Sequence, residues 1–226
     1  TGSGKTTTLY STLRRLATSD VNVCTIEDPI EMVEDSFNQM QVNHSIKLDF
    51  STGVRALMRQ DPDIIMVGEI RDLETAHMAV QAALTGHLVL STLHTNDSPG
   101  SVARLLELGL PAYLIKATLR GIMSQRLVRV LCTECKVLEP VDEEAWQQLV
   151  HPFPLPAPAQ VARPVGCRAC RETGYSGRQG IYELLVNSPE VAACIVPDME
   201  SRKVREVAMS EGMRTLRLAG AARVAS

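Results

Sequence analysis

Apolar positions in the first 131 residues switch repeatedly between the period of a helix and that of a strand. After Lys5, Leu9, Leu13 and Leu16 recur at helical spacing and predict a helix. Apolar or alternating runs predict strands at 21–26, 37–42 (an edge strand), 64–67 and 87–93. Helical spacing predicts further helices at 54–58, 73–84, 102–108 and 113–131. Strands that alternate with helices favour an α/β fold with a parallel sheet flanked by helices on both faces.

The pattern changes after Leu131. The next segment lies between two Cys-x-x-Cys pairs and contains a short acidic helix at 142–149 and a proline-rich stretch that we interpret as a linker or extended loop. A strand at 180–186 and a helix at 204–224 follow. We therefore predict three regions: an α/β core at 1–131, a small four-cysteine module at 132–186 and a helical C-terminal region at 187–226.

Composition narrows the class of protein. The chain has 226 residues, 45% of them hydrophobic and 22% charged, which is typical of one or two folded domains. No apolar run approaches the roughly 18 residues of a membrane span, and no signal peptide is recognisable. The net charge of −3 provides no basic surface for nucleic acid. Six cysteines in such a chain favour a cytosolic protein with a metal site over a disulfide scaffold.

The chain opens on most of a phosphate-binding loop. Glycines allow backbone amides to face phosphate oxygens, Lys5 reaches the β- and γ-phosphates of ATP, and the Thr6 hydroxyl binds Mg²⁺. The predicted nucleotide-binding residues are Thr1, Gly2, Ser3, Gly4, Lys5, Thr6 and Thr7. A glycine- and serine-rich loop beside an exposed lysine is the simpler alternative. The first glycine of the full motif would precede residue 1, so we expect a fragment that lacks the strand leading into the loop and leaves a sheet edge exposed.

Polar side chains follow three of the predicted strands. Glu27 and Asp28 end the first, Glu69 follows the third, and His94 follows the fourth. Because ligands bind at the carboxyl ends of parallel strands, these side chains are candidates for one shared site. Glu69 suits a base that polarises a water molecule, and Glu27 or Asp28 suits Mg²⁺ held through its water shell. Each carboxylate alone is more simply a solvated strand end.

Two histidines complete the candidate catalytic set of Glu69, Glu27, His94 and His87. A single histidine is more often a structural residue, and this alternative is stronger for His87, which opens a strand directly after a glycine.

Four cysteines have the spacing of a metal site: Cys132, Cys135, Cys167 and Cys170. Four thiolates suit a tetrahedral Zn²⁺ and leave no open position, which predicts a structural site. Disulfides and a redox-active pair are the alternatives. Cys24 and Cys194 lie in apolar segments and are predicted core residues.

These motifs together resemble the GspE/PilB family of secretion ATPases, the motors of type II secretion and type IV pilus assembly. The resemblance rests on TGSGKTTTLYSTL, TIEDPIE, RQDPDIIMVGEIRDLETA, TGHLVLSTLHTNDSPGSVARLLELG, GIMSQRLVRVLCTECK, GCRACRETGYSGRQGIYELL and EGMRTLRLAGAARV. It implies a RecA-like P-loop ATPase core, an aspartate box at 27–31, a Walker B motif that ends at Glu69, and a histidine box with His87 and His94.

The resemblance also implies a biological setting. Such a protein hydrolyses ATP as a homohexamer, lies in the cytoplasm at the inner membrane, and works with a platform protein and a membrane docking protein. It further implies N-terminal domains that supply arginines to the nucleotide.

Three other functions stay open at this point. A pilus retraction ATPase is the nearest, although those family members generally lack a four-cysteine module. A zinc-containing nucleic-acid-binding module is disfavoured by the acidic charge balance. A catalytically inactive scaffold is disfavoured by the presence of Lys5 and Glu69.

Overall fold

The computed structural model describes residues 2–153 and 155–226, so Thr1 of the predicted loop and Pro154 of the proline-rich stretch lie outside the described residues. Contacts within the chain divide it into two compact units. We call Lys5–Ile122 with Val186–Ala208 the sheet unit. The remainder, residues 2–4, Met123–Leu185 and Met209–Ser226, is the cysteine unit.

The sheet unit contains four strands, with helices before, between and after them. They are α1 (Lys5–Leu16), β1 (Val23–Glu27), β2 (Asn38–Gln41), α2 (Phe50–Leu57), β3 (Ile64–Val67), α3 (Leu73–Leu84), β4 (Leu88–Ser91), α4 (Ser98–Glu107), α5 (Ala112–Thr118), α7 (Pro189–Cys194) and most of α8 (Ser201–Ser210). The four strands form a parallel sheet of order β2-β1-β3-β4. This confirms the predicted parallel sheet, with β2 at one edge.

Helices cover both faces of the sheet. On one face, Tyr10 and Leu13 of α1 pack against Val23 of β1 and Met66 of β3. The opposite face has its own cluster, formed by Cys24, Ile26, Val54, Leu57, Ile65, Val67 and Ala82. The two central strands are buried on both sides, which explains why their sequences are continuously apolar rather than alternating.

Parallel pairing brings the carboxyl ends of the strands to a single edge of the sheet, which we call the carboxyl edge. Glu27 ends β1, Glu69 follows β3, and His94 follows β4. Gly68 allows β3 to approach β1 closely, because its N–H donates to the Ile26 carbonyl at 2.8 Å and an added Cβ would lie 3.3 Å from that oxygen.

The predicted helix at 113–131 is wrong beyond its first turns. Helix α5 ends at Thr118, and Gly121–Leu131 is a long strand, β5. Its partner is β8 (Tyr175–Val186), about fifty residues later in the sequence. Leucine, valine and isoleucine satisfy either periodicity here, and only the distant partner strand decides for the β conformation.

The cysteine unit contains most of the β5–β8 pair and a second pair of strands. In this second pair, β6 (Val137–Pro140) runs antiparallel to β7 (Gln160–Arg163). Helix α6 (Glu143–Val150) and the proline-rich stretch therefore lie between two paired strands. Trp146 of α6 packs against Leu218 of the last helix, α9 (Leu216–Ala225).

The single helix predicted at 204–224 is also wrong. The structure has two helices, α8 and α9, and Gly212 lies between them with a φ of +103°. A left-handed glycine just after the last turn ends a helix, because it redirects the chain without the cost of a Cβ in this conformation. Among the described residues, no helix is both long and apolar enough to cross a membrane.

Candidate functional sites

Glu69 and His94 meet at the carboxyl edge. The His94 Nε2 lies 3.0 Å from Glu69 Oε2, and the Arg71 guanidinium donates to Oε1. Only 13% of the Glu69 side chain is exposed, whereas the His94 side chain is 58% exposed. The hydrogen bond from Arg71 lowers the pKa of Glu69, and the nearby His94 contributes although burial opposes the shift. Glu69 is therefore an oriented, ionised carboxylate at the edge where ligands bind to such sheets.

Hydrogen bonds between the ends of β3 and β4 maintain this arrangement. The Thr92 hydroxyl donates to the Gly68 carbonyl at 2.7 Å, and the Ile70 N–H donates to the Thr92 carbonyl at 3.0 Å. The bonded residues on this side, Gly68 and Ile70, immediately precede and follow Glu69 in the sequence. The segment that carries His94 is thus attached to the segment that carries Glu69.

Glu27 lies at the same edge but is enclosed. It is 4% exposed, and its carboxylate accepts hydrogen bonds from Tyr10 (2.7 Å to Oε2), Thr25 (2.7 Å) and Gln39 (3.2 Å). Burial and the adjacent carboxylate raise the pKa of the Tyr10 hydroxyl well above its usual range. Glu27 therefore attaches β1 to α1 and β2, and its predicted role near Mg²⁺ stays a prediction.

Asp28, the other candidate at the end of β1, is exposed. It lines a cavity of about 190 Å³ together with Arg71, Asp72 and other residues of the neighbouring loops. An exposed carboxylate can reach a hydrated cation, which a fully enclosed one cannot do without giving up its present partners.

The amino-terminal end of α1 also lies at the carboxyl edge. The Tyr10 hydroxyl contacts Glu27 at the end of β1, and the next turn, with Leu13, packs near Val23 at its start. Helix α1 therefore runs antiparallel to β1, and its first residues, Lys5 and Thr6, lie beyond the end of that strand. The first turn of a helix has free N–H groups and a positive dipole end that favour a phosphate group, and no acidic residue lies in this turn.

His87 is not brought to this edge. It precedes β4, at the opposite, amino-terminal edge of the sheet, and its Nδ1 lies 2.8 Å from the Ala82 carbonyl and 3.1 Å from the Thr85 hydroxyl. These contacts attach it to the end of α3.

Two of the loop residues 2–4 are glycines with a left-handed backbone conformation. Gly2 and Gly4 have φ angles of +74° and +81°, which other residues rarely adopt. The Gln125 amide donates to the Ser3 carbonyl at 2.8 Å, and a Cβ at Gly4 would lie 2.9 Å from the same amide nitrogen.

Several residues of the carboxyl edge were not identified from the sequence: Tyr10, Gln39 and Arg71. Arg71 stands two residues after Glu69, and a charged residue so close to a candidate catalytic carboxylate was a usable signal. Tyr10 and Gln39 act through partners that are 17 and 12 residues distant, and no local pattern indicates such pairs.

The four predicted metal ligands come together in the cysteine unit. Their Sγ atoms all lie within 4.8 Å of one another, with distances of 3.9 Å for Cys132–Cys167, 3.8 Å for Cys135–Cys170 and 3.8 Å for Cys167–Cys170. Bonds of about 2.3 Å from a central Zn²⁺ to four thiolates would separate the sulfur atoms by about 3.8 Å. All four thiols are free, which makes the disulfide alternative wrong. This group could hold a metal ion.

Backbone N–H groups point at the sulfur atoms. The Gly166 N–H donates to Cys135 Sγ at 3.3 Å, and the N–H groups of Cys167 and Gly174 each donate to Cys170 Sγ at 3.2 Å. Although burial raises the pKa of Cys170, these two donors and the thiols of Cys167 and Cys135 together lower it to about 6. For Cys135, the Gly166 N–H lowers the pKa, but burial and the three neighbouring thiols outweigh this donor and raise the pKa to about 11. The thiolate is the form that binds a metal ion. Outside this cluster, Cys24 is a buried core residue as predicted, and Cys194 is half-buried.

Comparisons with known proteins agree with this architecture. The chain is 58% identical over 224 residues to the type IV pilus assembly ATPase TfpB of Acinetobacter baylyi. The matched region covers 99% of this chain and 38% of TfpB. It is 48% identical over 226 residues to the type II secretion system protein HxcR of Pseudomonas aeruginosa. That matched region covers 100% of this chain and 44% of HxcR. The chain thus spans less than half the length of these curated relatives.

A solved structure shares the fold. The pilus retraction motor PilT with bound ADP superposes with a TM-score of 0.61 at 29% sequence identity, over 96% of this chain and 57% of PilT. This match supports the predicted RecA-like core. The family model described as "Type II/IV secretion system protein" matches residues 1–226, and the chain therefore belongs to that family.

Proposed function

We propose that this chain is the ATP-hydrolysing part of a motor that drives assembly of a type II secretion pseudopilus or a type IV pilus. The observation that carries the proposal is the Glu69–His94 pair, 3.0 Å apart, at the edge of the sheet where α1 begins. Relatives at 58% and 48% identity carry the names of a pilus assembly ATPase and a type II secretion protein, which supports assembly and secretion as the process.

The phosphate groups of ATP bind at the loop and the start of α1. Lys5 neutralises the β- and γ-phosphates, the Thr6 hydroxyl is a ligand of Mg²⁺, and the remaining contacts come from Gly2, Ser3, Gly4 and Thr7. The same role for Thr1 rests on the sequence motif alone. Bound MgATP supplies the γ-phosphoryl group, and the residues of this chain orient that group and the attacking water.

Glu69 is the general base of this mechanism. An ionised carboxylate has about four lone-pair positions, so Glu69 can accept a proton from water while His94 and Arg71 keep their hydrogen bonds. His94 holds Oε2 and so fixes the direction of the carboxylate. Asp28 is exposed and reaches a hydrated Mg²⁺. Glu27 instead holds α1 against the end of β1 through its hydrogen bond with Tyr10. His87 takes no part, because it lies at the opposite edge of the sheet.

The four cysteines hold a structural Zn²⁺. Their mutual distances match a tetrahedral site, and four sulfur ligands leave no position for a substrate. This module then contributes stability to the cysteine unit and no chemistry.

The full-length protein works as a homohexamer on the cytoplasmic side of the inner membrane, with a platform protein and a membrane docking protein as partners. This part of the proposal rests on the family. A retraction motor is the second candidate, and the likeness to PilT favours it. We prefer assembly because the more similar relatives are named for assembly and secretion. Binding of nucleic acid is disfavoured by the net charge of −3.

The proposal is tested by ATP hydrolysis and nucleotide binding with the full-length protein. Glu69→Gln should retain nucleotide binding and lose turnover by about 10²- to 10⁴-fold, the usual contribution of a general base. Lys5→Ala should weaken nucleotide binding itself. Glu107→Gln is the control, since this glutamate is exposed on α4 and pairs only with Arg104 among the contacts described. Hydrolysis at the parent rate by Glu69→Gln would contradict the proposal.

A further inference from the structure

An ion pair connects α8 to the segment that carries His94. The Arg205 guanidinium lies 2.6 Å from Asp97 Oδ2, although 108 positions separate the two residues in the sequence. The two side chains are 38% and 31% exposed. The neighbouring arginine on this helix, Arg202, pairs instead with Glu206 of its own helix at 2.8 Å and is almost fully exposed.

Asp97 shares its carboxylate between two elements. Oδ1 accepts a hydrogen bond from the Gly100 N–H at 2.8 Å and so caps the start of α4. Oδ2 faces Arg205. A single side chain thus joins the first turn of α4 to α8.

The segment 92–97 is held at both ends, and His94 lies between them. At one end, Thr92 bonds to Gly68. At the other, the Thr95 hydroxyl lies 2.5 Å from the Ser101 hydroxyl, and Asp97 caps α4. The position of the exposed His94 ring against Glu69 therefore depends on how firmly this segment is held.

Stability of the fold does not account for Arg205. Helix α8 already buries Val204 and Ala208, and Ile195 and Met199 before it pack among the apolar residues of α3 to α5. A partly exposed ion pair adds little to folding. The contact with Asp97 instead indicates that Arg205 holds the segment 92–97 in place.

We propose that Arg205 is a positioning residue for ATP hydrolysis. Through Asp97 it fixes the segment 92–97, and this keeps His94 against the Glu69 carboxylate. The inference rests on the proposed function, because it assigns a purpose to the Glu69–His94 pair. It also links a helix near the C-terminus to the chemistry at the carboxyl edge, so that displacement of α8 slows hydrolysis.

Single variants of the full-length protein test the first step. Arg205→Gln should lower kcat for ATP by about 10- to 100-fold, the scale of a misplaced reacting group, with KM within twofold and an unchanged Tm. Arg205→Lys should recover most of the loss. Asp97→Asn should match Arg205→Gln, since asparagine caps a helix as well as aspartate but removes the charge. Arg202→Gln is the matched control and should behave as the parent.

Paired variants test whether Arg205 acts through His94. In a His94→Asn background, Arg205→Gln should change kcat less than twofold further, because the ring that it positions is already gone. The proposal would be overturned if the reductions in kcat caused by His94→Asn and Arg205→Gln multiplied in the double variant. An unchanged kcat in Arg205→Gln would also overturn it, as would a reduction in kcat that is explained by a lower Tm. If Arg205→Gln does not fold, Asp97→Asn in both backgrounds decides the question.

Failure of the proposed function has a different signature. Full activity of Glu69→Gln would remove the assigned base, and the role of Arg205 would fall with it. A dead Glu69→Gln together with a fully active Arg205→Gln overturns the Arg205 proposal alone.

Discussion

The Tyr10 hydroxyl of α1 donates to the Glu27 carboxylate at the end of β1, with 2.7 Å between the oxygen atoms. Both side chains are buried, and Gln39 of β2 donates to the same pair of groups. This contact fixes how far α1 extends beyond the end of β1. The position of Lys5 and Thr6, one and a half turns earlier, therefore depends on it.

Removal of the Tyr10 hydroxyl should weaken the fold. Tyr10→Phe leaves the buried Glu27 with fewer donors, and we expect a loss of about 1–3 kcal/mol in the free energy of unfolding. Thermal unfolding of the full-length protein measures the change. Tyr113→Phe is the control, because that ring is largely exposed and should leave the Tm unaltered. Equal Tm values for Tyr10→Phe and the parent would show that the bond contributes nothing.

Arg71 should set the acid limb of the pH–rate profile. Its hydrogen bond lowers the pKa of Glu69, so the carboxylate stays ionised to a lower pH in the parent protein. In Arg71→Gln the pKa of Glu69 should rise towards its ordinary value of about 4.3, and the acid limb of kcat/KM for ATP should move to higher pH.

The same substitution should alter the dependence of stability on pH. Because the pKa of Glu69 is depressed in the folded state, its contribution is present above the unfolded pKa and is lost as the pH falls through the folded value. The parent should therefore exceed Arg71→Gln in Tm near neutral pH, and the difference should shrink in acid. A difference that grows in acid would contradict the assigned ion pair.

Much of the candidate site follows from the sequence because parallel strands impose it. Once 21–26, 64–67 and 87–93 are predicted as buried parallel strands, Glu27, Glu69 and His94 must lie at one edge. The four cysteines follow from their spacing in the same way. In each case the candidate functional residues belong to, or directly follow, a pattern that is recognisable over a few neighbouring positions.

The remaining features depend on partners that are distant in the sequence. Strand β5 was predicted as a helix because its partner β8 lies far along the chain, and Arg205 was missed because Asp97 is 108 positions away. Gly212 is different, since a glycine inside a helical pattern was a visible signal for the break between α8 and α9. Local periodicity describes single elements, whereas these contacts depend on packing between them.

The cysteine cluster should bind one Zn²⁺ per chain, which elemental analysis measures. Cys132→Ser should lower the Tm and leave nucleotide affinity unchanged, because a closed site contributes folding energy and no chemistry. Cys194→Ser, outside the cluster, is the matched control. A metal-free protein whose four cluster thiols react freely with an alkylating reagent would contradict the metal site.

Two glycines near the C-terminus should respond to alanine in opposite directions. Gly212 has a φ of +103°, so Gly212→Ala forces a Cβ into a left-handed conformation, even though no atom lies within 4 Å of that Cβ. Gly220 lies inside α9, where an added Cβ would meet only Ile181 Cδ1, at an ordinary contact distance of 3.7 Å. Gly212→Ala should therefore lower the free energy of unfolding by about 1 kcal/mol or more, and Gly220→Ala should raise it by about 0.4–1 kcal/mol. Thermal unfolding of the two variants beside the parent gives the sign of each change. An unchanged or raised Tm for Gly212→Ala would show that the break between α8 and α9 does not depend on the left-handed conformation of Gly212, and a lowered Tm for Gly220→Ala would show that α9 does not accept the added Cβ beside Ile181.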